Sequence, residues 1–292
     1  MKELIEKAKT LVEALPYIKE FYGKTIVVKY GGSIGGQELH NFARDIVLMK
    51  YVGMNPVVVH GGGPQIGSLL GRLGIKSQFI AGLRVTDLET MEVVEMVLVG
   101  KVNQEIVTEI NSLGGNSVGS SGKDGKIIVA RKIDISKIAE EGTDIPPGAD
   151  LGMVGEVEIV NPHLIQVLEG AGFIPVIAPV GFDEEGKSYN INADHVAGKI
   201  AGALRAEKLV LLTDVPGILD EERNLISSLA EAKAKELMKK GVISSGMIPK
   251  VRCAIEALRE GVNKAHIIDG RVEHALILEI FTDAGIGTEI LI

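Results

Sequence analysis

Two lysines stand where packing alone gives an ammonium group little reason to be. Lys29 interrupts the apolar run 25–30 just before Gly31 and Gly32, so it either emerges at a strand tip or snorkels from one. Lys250 sits at a helix start in Ser244-Ser245-Gly246-Met247-Ile248-Pro249-Lys250. There the helix macrodipole disfavours a cation, unless the cation faces a polyanion. Tyr189-Asn190-Ile191-Asn192-Ala193-Asp194 gathers three polar side chains ahead of and inside a first helical turn. One of them suffices as an N-cap, which leaves two for other work. Arg84, in Gly82-Leu83-Arg84-Val85-Thr86-Asp87, could grip a carboxylate through two parallel hydrogen bonds or pair with Asp87 at the surface. Thr213-Asp214-Val215-Pro216-Gly217-Ile218 follows a strand and reads as a turn that could equally border a nucleotide.

Two glycine loops, Gly31-Gly32-Ser33-Ile34-Gly35-Gly36 and Gly61-Gly62-Gly63, each join a strand to a helix. Such loops gather at the carboxyl edge of a parallel sheet, where backbone N–H groups and helix N-termini attract anions. Neither fits GxxxxGK[ST] or GxGxxG, and either could be only a tight turn. Gly115-Asn116-Ser117-Val118-Gly119 matches the GxSxG nucleophile elbow formally, but loop residues follow it where the elbow requires a helix. The six histidines show no paired-ligand spacing, and His60 at a strand end reads as a packing residue. Cys253 is the single cysteine, lies on an apolar helical stripe and reads as a core thiol.

These residues need a frame. Leu4, Ile5, Ala8, Leu11, Val12 and Leu15 form one helical stripe, closed by Pro16, whose partner is its own domain or another subunit. Strands are expected at 25–30, 56–60, 117–121, 126–130, 173–178, 208–213, 264–269 and 289–292, with a hairpin at 150–160. Helices are expected to about 52 and 73, then at 87–100, 102–113, 162–171, 193–204, 230–240, 245–261 and 274–282. Strands alternating with helices imply an α/β fold whose largely parallel sheet is covered on both faces. The stretch 181–187 is the expected boundary between two lobes.

With 292 residues, 46% apolar and 24% charged, the chain has the balance of a globular protein with a sizeable core. A net charge of −8 without a basic run argues against nucleic-acid binding. No apolar run reaches membrane-span length and no signal-peptide core opens the chain, so the expected compartment is the cytoplasm, with no membrane partner.

Taken in order, Val-Val-Lys29-Tyr-Gly-Gly32, His60-Gly-Gly-Gly63, Gly82-Leu-Arg84-Val-Thr, Asn190-Ile-Asn-Ala-Asp194, Thr213-Asp-Val-Pro-Gly217 and Gly246-Met-Ile-Pro-Lys250 resemble the N-acetylglutamate kinases of the amino acid kinase family. The resemblance runs collinearly from about residue 24 to the C-terminus. It implies an open three-layer αβα sandwich of two lobes, with N-acetyl-L-glutamate held by residues 24–182 and ATP with Mg²⁺ by residues 183–292. The implied reaction phosphorylates the substrate's side-chain carboxylate to N-acetyl-L-glutamyl 5-phosphate, the second step of arginine biosynthesis. By position, Lys29 and Lys250 would neutralise the transferring phosphoryl, Asp194 would hold both lysines, and Gly32 and Gly62 would aim N–H groups at it. Gly62, Gly63, Arg84 and Asn190 would bind substrate, and Thr213, Asp214, Val215, Gly217 and Ile218 would line the nucleotide site. The metal would be held mainly by the phosphates.

The N-terminal helix, residues 1–23, and the ending Glu279–Thr288 look like the arginine-inhibited branch, in which that helix links dimers into a hexamer. Tyr17, Lys199, Glu279 and Gly287 are the implied arginine contacts. Within the same family, a carrier-linked aminoadipate kinase, a carbamate kinase and a glutamate 5-kinase are the competing readings. A non-catalytic arginine sensor is the reading from another class.

Overall fold

The structure is a computed structural model that describes residues 1–31, 36–136, 145–146, 148–243, 246–283 and 285–292. Helices α1 (Lys2–Glu13) and α2 (Leu15–Phe21) carry the N-terminal stripe. Pro16 opens α2 instead of ending a helix, because the first turn needs no N–H from it. Then come β1 (Thr25–Tyr30), α3 (Gln37–Tyr51), β2 (Asn55–His60) and α4 (Gly63–Arg72). The short hairpin β3 (Phe79–Ile80) and β4 (Leu83–Arg84) precedes α5 (Leu88–Glu95), a π-helical segment Met96–Val102 and α6 (Asn103–Ser112). The 87–113 region is therefore one continuous rod, and Gly100 sits inside it without breaking it.

After β5 (Ser117–Ser121) and β6 (Ile128–Lys132), Val154–Val160 forms the single strand β7 where a hairpin was expected. Its partners are β6 and a later strand, so no local turn is needed. The chain continues through α7 (His163–Gly170), β8 (Ile174–Ala178), β9 (Val180–Phe182), β10 (Ser188–Ile191), α8 (Ala193–Leu204) and β11 (Lys208–Thr213). It ends with β12 (Ser228–Ala230), α9 (Glu231–Lys239), α10 (Ile248–Arg259), β13 (Lys264–Asp269), α11 (Ala275–Ile280) and β14 (Thr288–Leu291).

Eight strands form the main sheet in the order β12-β14-β13-β11-β1-β2-β8-β5, parallel except between β13 and β14. Strands β10-β7-β6-β9 close on themselves as a second, small sheet. The 181–187 stretch is the turn of the β9–β10 hairpin in that sheet, and the main sheet passes straight from β1 to β11. Alternation along each central strand feeds two cores. Val27, Val57, Ile177 and Leu209 pack under α8, α9, α10 and the small sheet. Ile26, Val28, Val58 and Val210 pack under α3, α4, α5, α6 and α11. This is an αβα sandwich, and it brings the ends of β1, β2 and β11 to one carboxyl edge. Among the described residues no helix is long and apolar enough to cross a membrane.

Candidate active site

Lys29 lies one residue from the end of β1, beside Val59 of β2 and Leu211 of β11, and shares the parity of Val27. Its side chain therefore rises into the layer that holds α8. The first turn of α8 is fixed by Asn192, whose side-chain oxygen accepts from the N–H groups of Asp194 (2.8 Å) and His195 (3.2 Å). That cap aims Asp194 at the sheet. One carboxylate oxygen pairs with Lys29 Nζ at 3.0 Å and the other with Lys250 Nζ at 2.6 Å.

Lys250 belongs to the first turn of α10, which is seated against α8. Cys253, one turn on, donates its thiol to the Asp194 backbone carbonyl at 2.8 Å. Gly198 leaves room for that sulfur, since a Cβ there would stand 2.7 Å from it. Cys253 is a core thiol as expected, and burial pushes its ionisation far up. Burial also disfavours the Asp194 anion, but the two ammonium groups outweigh it and hold the carboxyl below its usual range. For Lys29 burial dominates and lowers the ammonium's pKa.

Beside this triad is a cavity of about 260 Å³ lined by Lys29, Gly62, Gly63, Arg84, Asn190 and Asp194, among others. Arg84 is buried. Its Nη2 donates to the Gly63 carbonyl at 3.0 Å, its Nη1 donates to Ser77, and its guanidinium lies 4.7 Å from the Phe79 ring centre. Asp87 is engaged elsewhere, capping α5 through the Thr90 N–H at 2.8 Å. Among the described residues no carboxylate pairs with Arg84. At Gly62 a Cβ would meet the Leu98 side-chain end of the π-helical segment at 2.5 Å, so Leu98 would have to shift.

His60 is fully buried, donates from Nδ1 to the Gly61 carbonyl at 3.0 Å and accepts at Nε2 from Asn103 at 3.1 Å. Burial pushes its pKa down to about 4, so it is a neutral packing group that braces the Gly61–Gly63 loop. Ser117 of the rejected elbow lies on β5, bonded to Asn111 at 2.9 Å. Gly32 lies outside the described residues.

Thr213–Ile218 leaves the carboxyl end of β11, next to β1. Gly217 adopts φ +143°, and a Cβ there would strike Leu225 and Thr288. Thr288 also accepts from the Ile218 N–H at 2.9 Å. Thr213, Gly217 and Ile218 are thus inner supports of the turn, while Asp214 and Val215 are exposed at the sheet edge.

Tyr17, Glu279 and Gly287 come together in a separate cavity of about 380 Å³ near the beginnings of β11 and β13. Lys199 does not join them. It lies on α8, across the sheet, and pairs with Glu256 of α10 (3.7 Å) and with Glu260 (2.5 Å), the residue that caps α10. The apolar residues of α8 face the core, which turns Lys199 toward its neighbouring helix. Lys208 and His266, which no sequence motif marks, line this second cavity in its place and pair with the buried Glu279. Tyr17 donates to Asp283 at 2.6 Å, so α2 is tied to the C-terminal part.

Residues 24–269 match the amino acid kinase family. The chain is 60% identical to an acetylglutamate kinase of Syntrophobacter fumaroxidans, covering 99% of this chain and 97% of that protein. It is 58% identical to an acetylglutamate kinase of Aquifex aeolicus, covering 99% of each. Among solved structures it resembles N-acetylglutamate synthase from Neisseria gonorrhoeae complexed with coenzyme A and N-acetyl-glutamate, at 27% identity and TM-score 0.85 over 98% of this chain. The same synthase complexed with coenzyme A and L-arginine matches at 26% identity and TM-score 0.82 over 97% of this chain. The chain spans only 63% and 65% of those two synthase chains. Carbamate kinase from Giardia lamblia bound to AMP-PNP, at 18% identity and TM-score 0.64 over 92% of this chain and 98% of that one, shares the fold. The chain belongs to the amino acid kinase family, and within it to the acetylglutamate kinases.

Proposed function

We propose that this chain transfers the γ-phosphoryl group of ATP to the side-chain carboxylate of N-acetyl-L-glutamate, giving N-acetyl-L-glutamyl 5-phosphate and ADP, as in the second step of arginine biosynthesis. The observation that carries this reading is the Asp194 carboxylate holding two ammonium groups, Lys29 and Lys250, beside a cavity that Lys29 and Asp194 line together with Arg84, which no described carboxylate pairs. The relatives' names and the synthase bound to N-acetyl-glutamate support the choice of acyl amino acid.

Arg84 holds the α-carboxylate, and Asn190, Gly62 and Gly63 hold the rest of the substrate against the strand ends. The side-chain carboxylate is already an anion, so no general base is required. Its oxygen bonds to the γ-phosphorus as the bond to the β,γ-bridging oxygen breaks, and that electron pair leaves on ADP. Lys29 and Lys250 stabilise the charge spreading over the phosphoryl oxygens, and Asp194 keeps both amines aligned. Gly62, and Gly32 by its sequence position, direct N–H groups at the same oxygens. Thr213–Ile218 borders the nucleotide, placing ATP on the 183–292 lobe and the acyl amino acid on the 24–182 lobe. The chemistry of this lysine pair fits a polyphosphate, and Mg²⁺ would neutralise part of its charge while bound chiefly to phosphate oxygens.

A coupled ADP-release assay with hydroxylamine trapping of acyl phosphate tests the reading. N-acetylglutamate should be turned over well ahead of free glutamate and carbamate. Trapped product from either competitor but not from N-acetylglutamate would overturn it.

The second cavity is assigned to L-arginine as feedback inhibitor, with the chain assembling as a dimer and, through α1, a hexamer. Support comes from its mixed lining, the carboxylates Glu20, Glu279, Asp283 and Glu289 for a guanidinium beside Lys208, Lys264 and His266 for a carboxylate, and from the synthase complexed with L-arginine. Lys199 is not part of this proposal.

A further inference from the structure

We propose that the Thr86 hydroxyl is a positioning group that fixes which end of the Asn190 amide faces the substrate, so that Asn190 offers its carbonyl oxygen to a substrate N–H. This rests on reading the Arg84–Asn190 cavity as the acyl amino acid site.

Thr86 follows Arg84 by two residues and is completely buried. Its hydroxyl has a single proton, and that proton goes to the Arg84 carbonyl at 2.8 Å. Toward any third group the oxygen is therefore an acceptor only. The group it meets is Asn190, whose Nδ2 donates to it at 3.2 Å. A side-chain amide has a donor end and an acceptor end, and the hydroxyl engages the donor end. Among the described residues none donates to the Asn190 Oδ1, and Asn190 lines the cavity with Arg84 and Lys29. The free end is thus a carbonyl oxygen, suited to the single N–H of an acylated amine.

The hydrogen bonds between the backbone of Thr86 and its neighbouring segments do not need its hydroxyl. The Thr86 N–H donates to the Leu151 carbonyl at 3.0 Å, and its own carbonyl accepts from Met153 at 2.6 Å. The Asn190 N–H then donates to the Met153 carbonyl at 2.9 Å. Gly152 permits this stitching, with φ +69° and a would-be Cβ 2.3 Å from the Thr86 oxygen. The three segments stay joined when the hydroxyl is removed. The amide's direction does not.

Thr86→Val keeps the volume and removes the relay. Steady-state kinetics should show the KM for N-acetylglutamate rising about 10-fold, with the KM for ATP moving by less than about twofold, the scale of one lost directed hydrogen bond. Thr86→Ser should restore the wild-type values. In an Asn190→Ala background, Thr86→Val should change the KM by less than about twofold, because its effect passes through that amide.

A second readout uses 2-acetoxyglutarate, in which an ester oxygen replaces the amide N–H. Wild type should disfavour it by about 10-fold or more in kcat/KM, and Thr86→Val should narrow that preference to within about threefold. The relay is overturned if Thr86→Val leaves the amide–ester preference intact, or raises the KM equally in the Asn190→Ala background. If Arg84→Lys and Asn190→Ala both leave the KM for N-acetylglutamate unchanged, the cavity assignment itself falls and the relay falls with it.

Discussion

At Asp194 two ammonium groups share one counter-ion, so the trio carries one net positive charge toward the cavity. Removing either lysine leaves a balanced pair, whereas removing the carboxylate leaves two cations facing each other in a buried site. Lys29→Ala and Lys250→Ala should therefore fold and lose kcat by about 10²-fold or more, read in the ADP-release assay. Asp194→Asn should lose about 3 kcal/mol or more of stability in denaturant titration, and more than either lysine variant. Equal stability across the three would show that the carboxylate does not hold the pair. His60 gives a pH prediction. Buried and neutral, with its pKa pushed down from 6.5 to about 4, it binds no proton in the fold where the unfolded chain would bind one. Stability should therefore fall as pH drops from 6.5 toward 4, by about 3 kcal/mol from this group, and the slope should flatten in His60→Gln. Lys29 and Lys250 stood out in the sequence because a charge inside an apolar run or at the wrong end of a helix needs a reason, and Asp194 because one polar residue of its cluster suffices as the cap. Thr86, Asn103 and the Cys253 thiol bond did not, since a buried hydroxyl, amide or thiol carries no such signal and its partner is distant along the chain.

The elements explain why those residues converge. Helices α8 and α10 present Asp194 and Lys250 from their first turns, and their spacing is set where Cys253 meets Gly198. Gly198→Ala would ordinarily strengthen a helix by up to about 1 kcal/mol. Here its methyl group would sit 2.7 Å from the sulfur, forcing the two first turns apart. The variant should keep its fold and lose about 10-fold in kcat through misplaced ammonium groups, and Cys253→Ala in the same chain should restore much of that loss. A Gly198→Ala enzyme with unchanged kcat would separate helix spacing from catalysis. Most elements could be read from the sequence, because apolar runs and 3.6-residue stripes report burial directly: β1, β11 and β13 fall on the expected residues. The failures have physical causes. Residues 150–160 do not form the expected hairpin: Gly152 lets the chain pass the Thr86 carbonyl and Gly155 lies against Tyr189 inside β7. The strands β3, β4, β9 and β12 are two or three residues long, too short for a two-residue alternation to register.

On the scale of the whole molecule, the strand order joins sequence-distant strands, β1 to β11 and β2 to β8, and no local pattern encodes it. The sheet separates two sites: the lysine–carboxylate cavity at the carboxyl edge, and the Tyr17–Glu279 cavity near the beginnings of β11 and β13. Among the described residues, the apolar stripe of α1 is left uncovered by its own chain. Leu4, Leu11 and Val12 of α1 are 63%, 76% and 68% exposed, although their spacing is that of a buried stripe. The helix after it behaves differently: α2 buries Phe21 and bonds Tyr17 to Asp283, so it is docked on its own chain. Deleting residues 1–13 therefore removes the uncovered stripe and leaves the Tyr17 side of the second cavity in place. The truncated enzyme should keep turnover within about twofold, since no described residue of α1 lines the Lys29–Arg84 cavity. On the proposed assembly, its mass by sedimentation or mass photometry should drop from that of a hexamer to that of a dimer. If the proposed inhibition by arginine acts through the assembly, it should weaken in parallel. If it acts inside one chain, inhibition should survive the deletion and disappear in Glu279→Gln. A truncated chain that retains both hexamer mass and full arginine inhibition would remove α1 from assembly and from regulation alike.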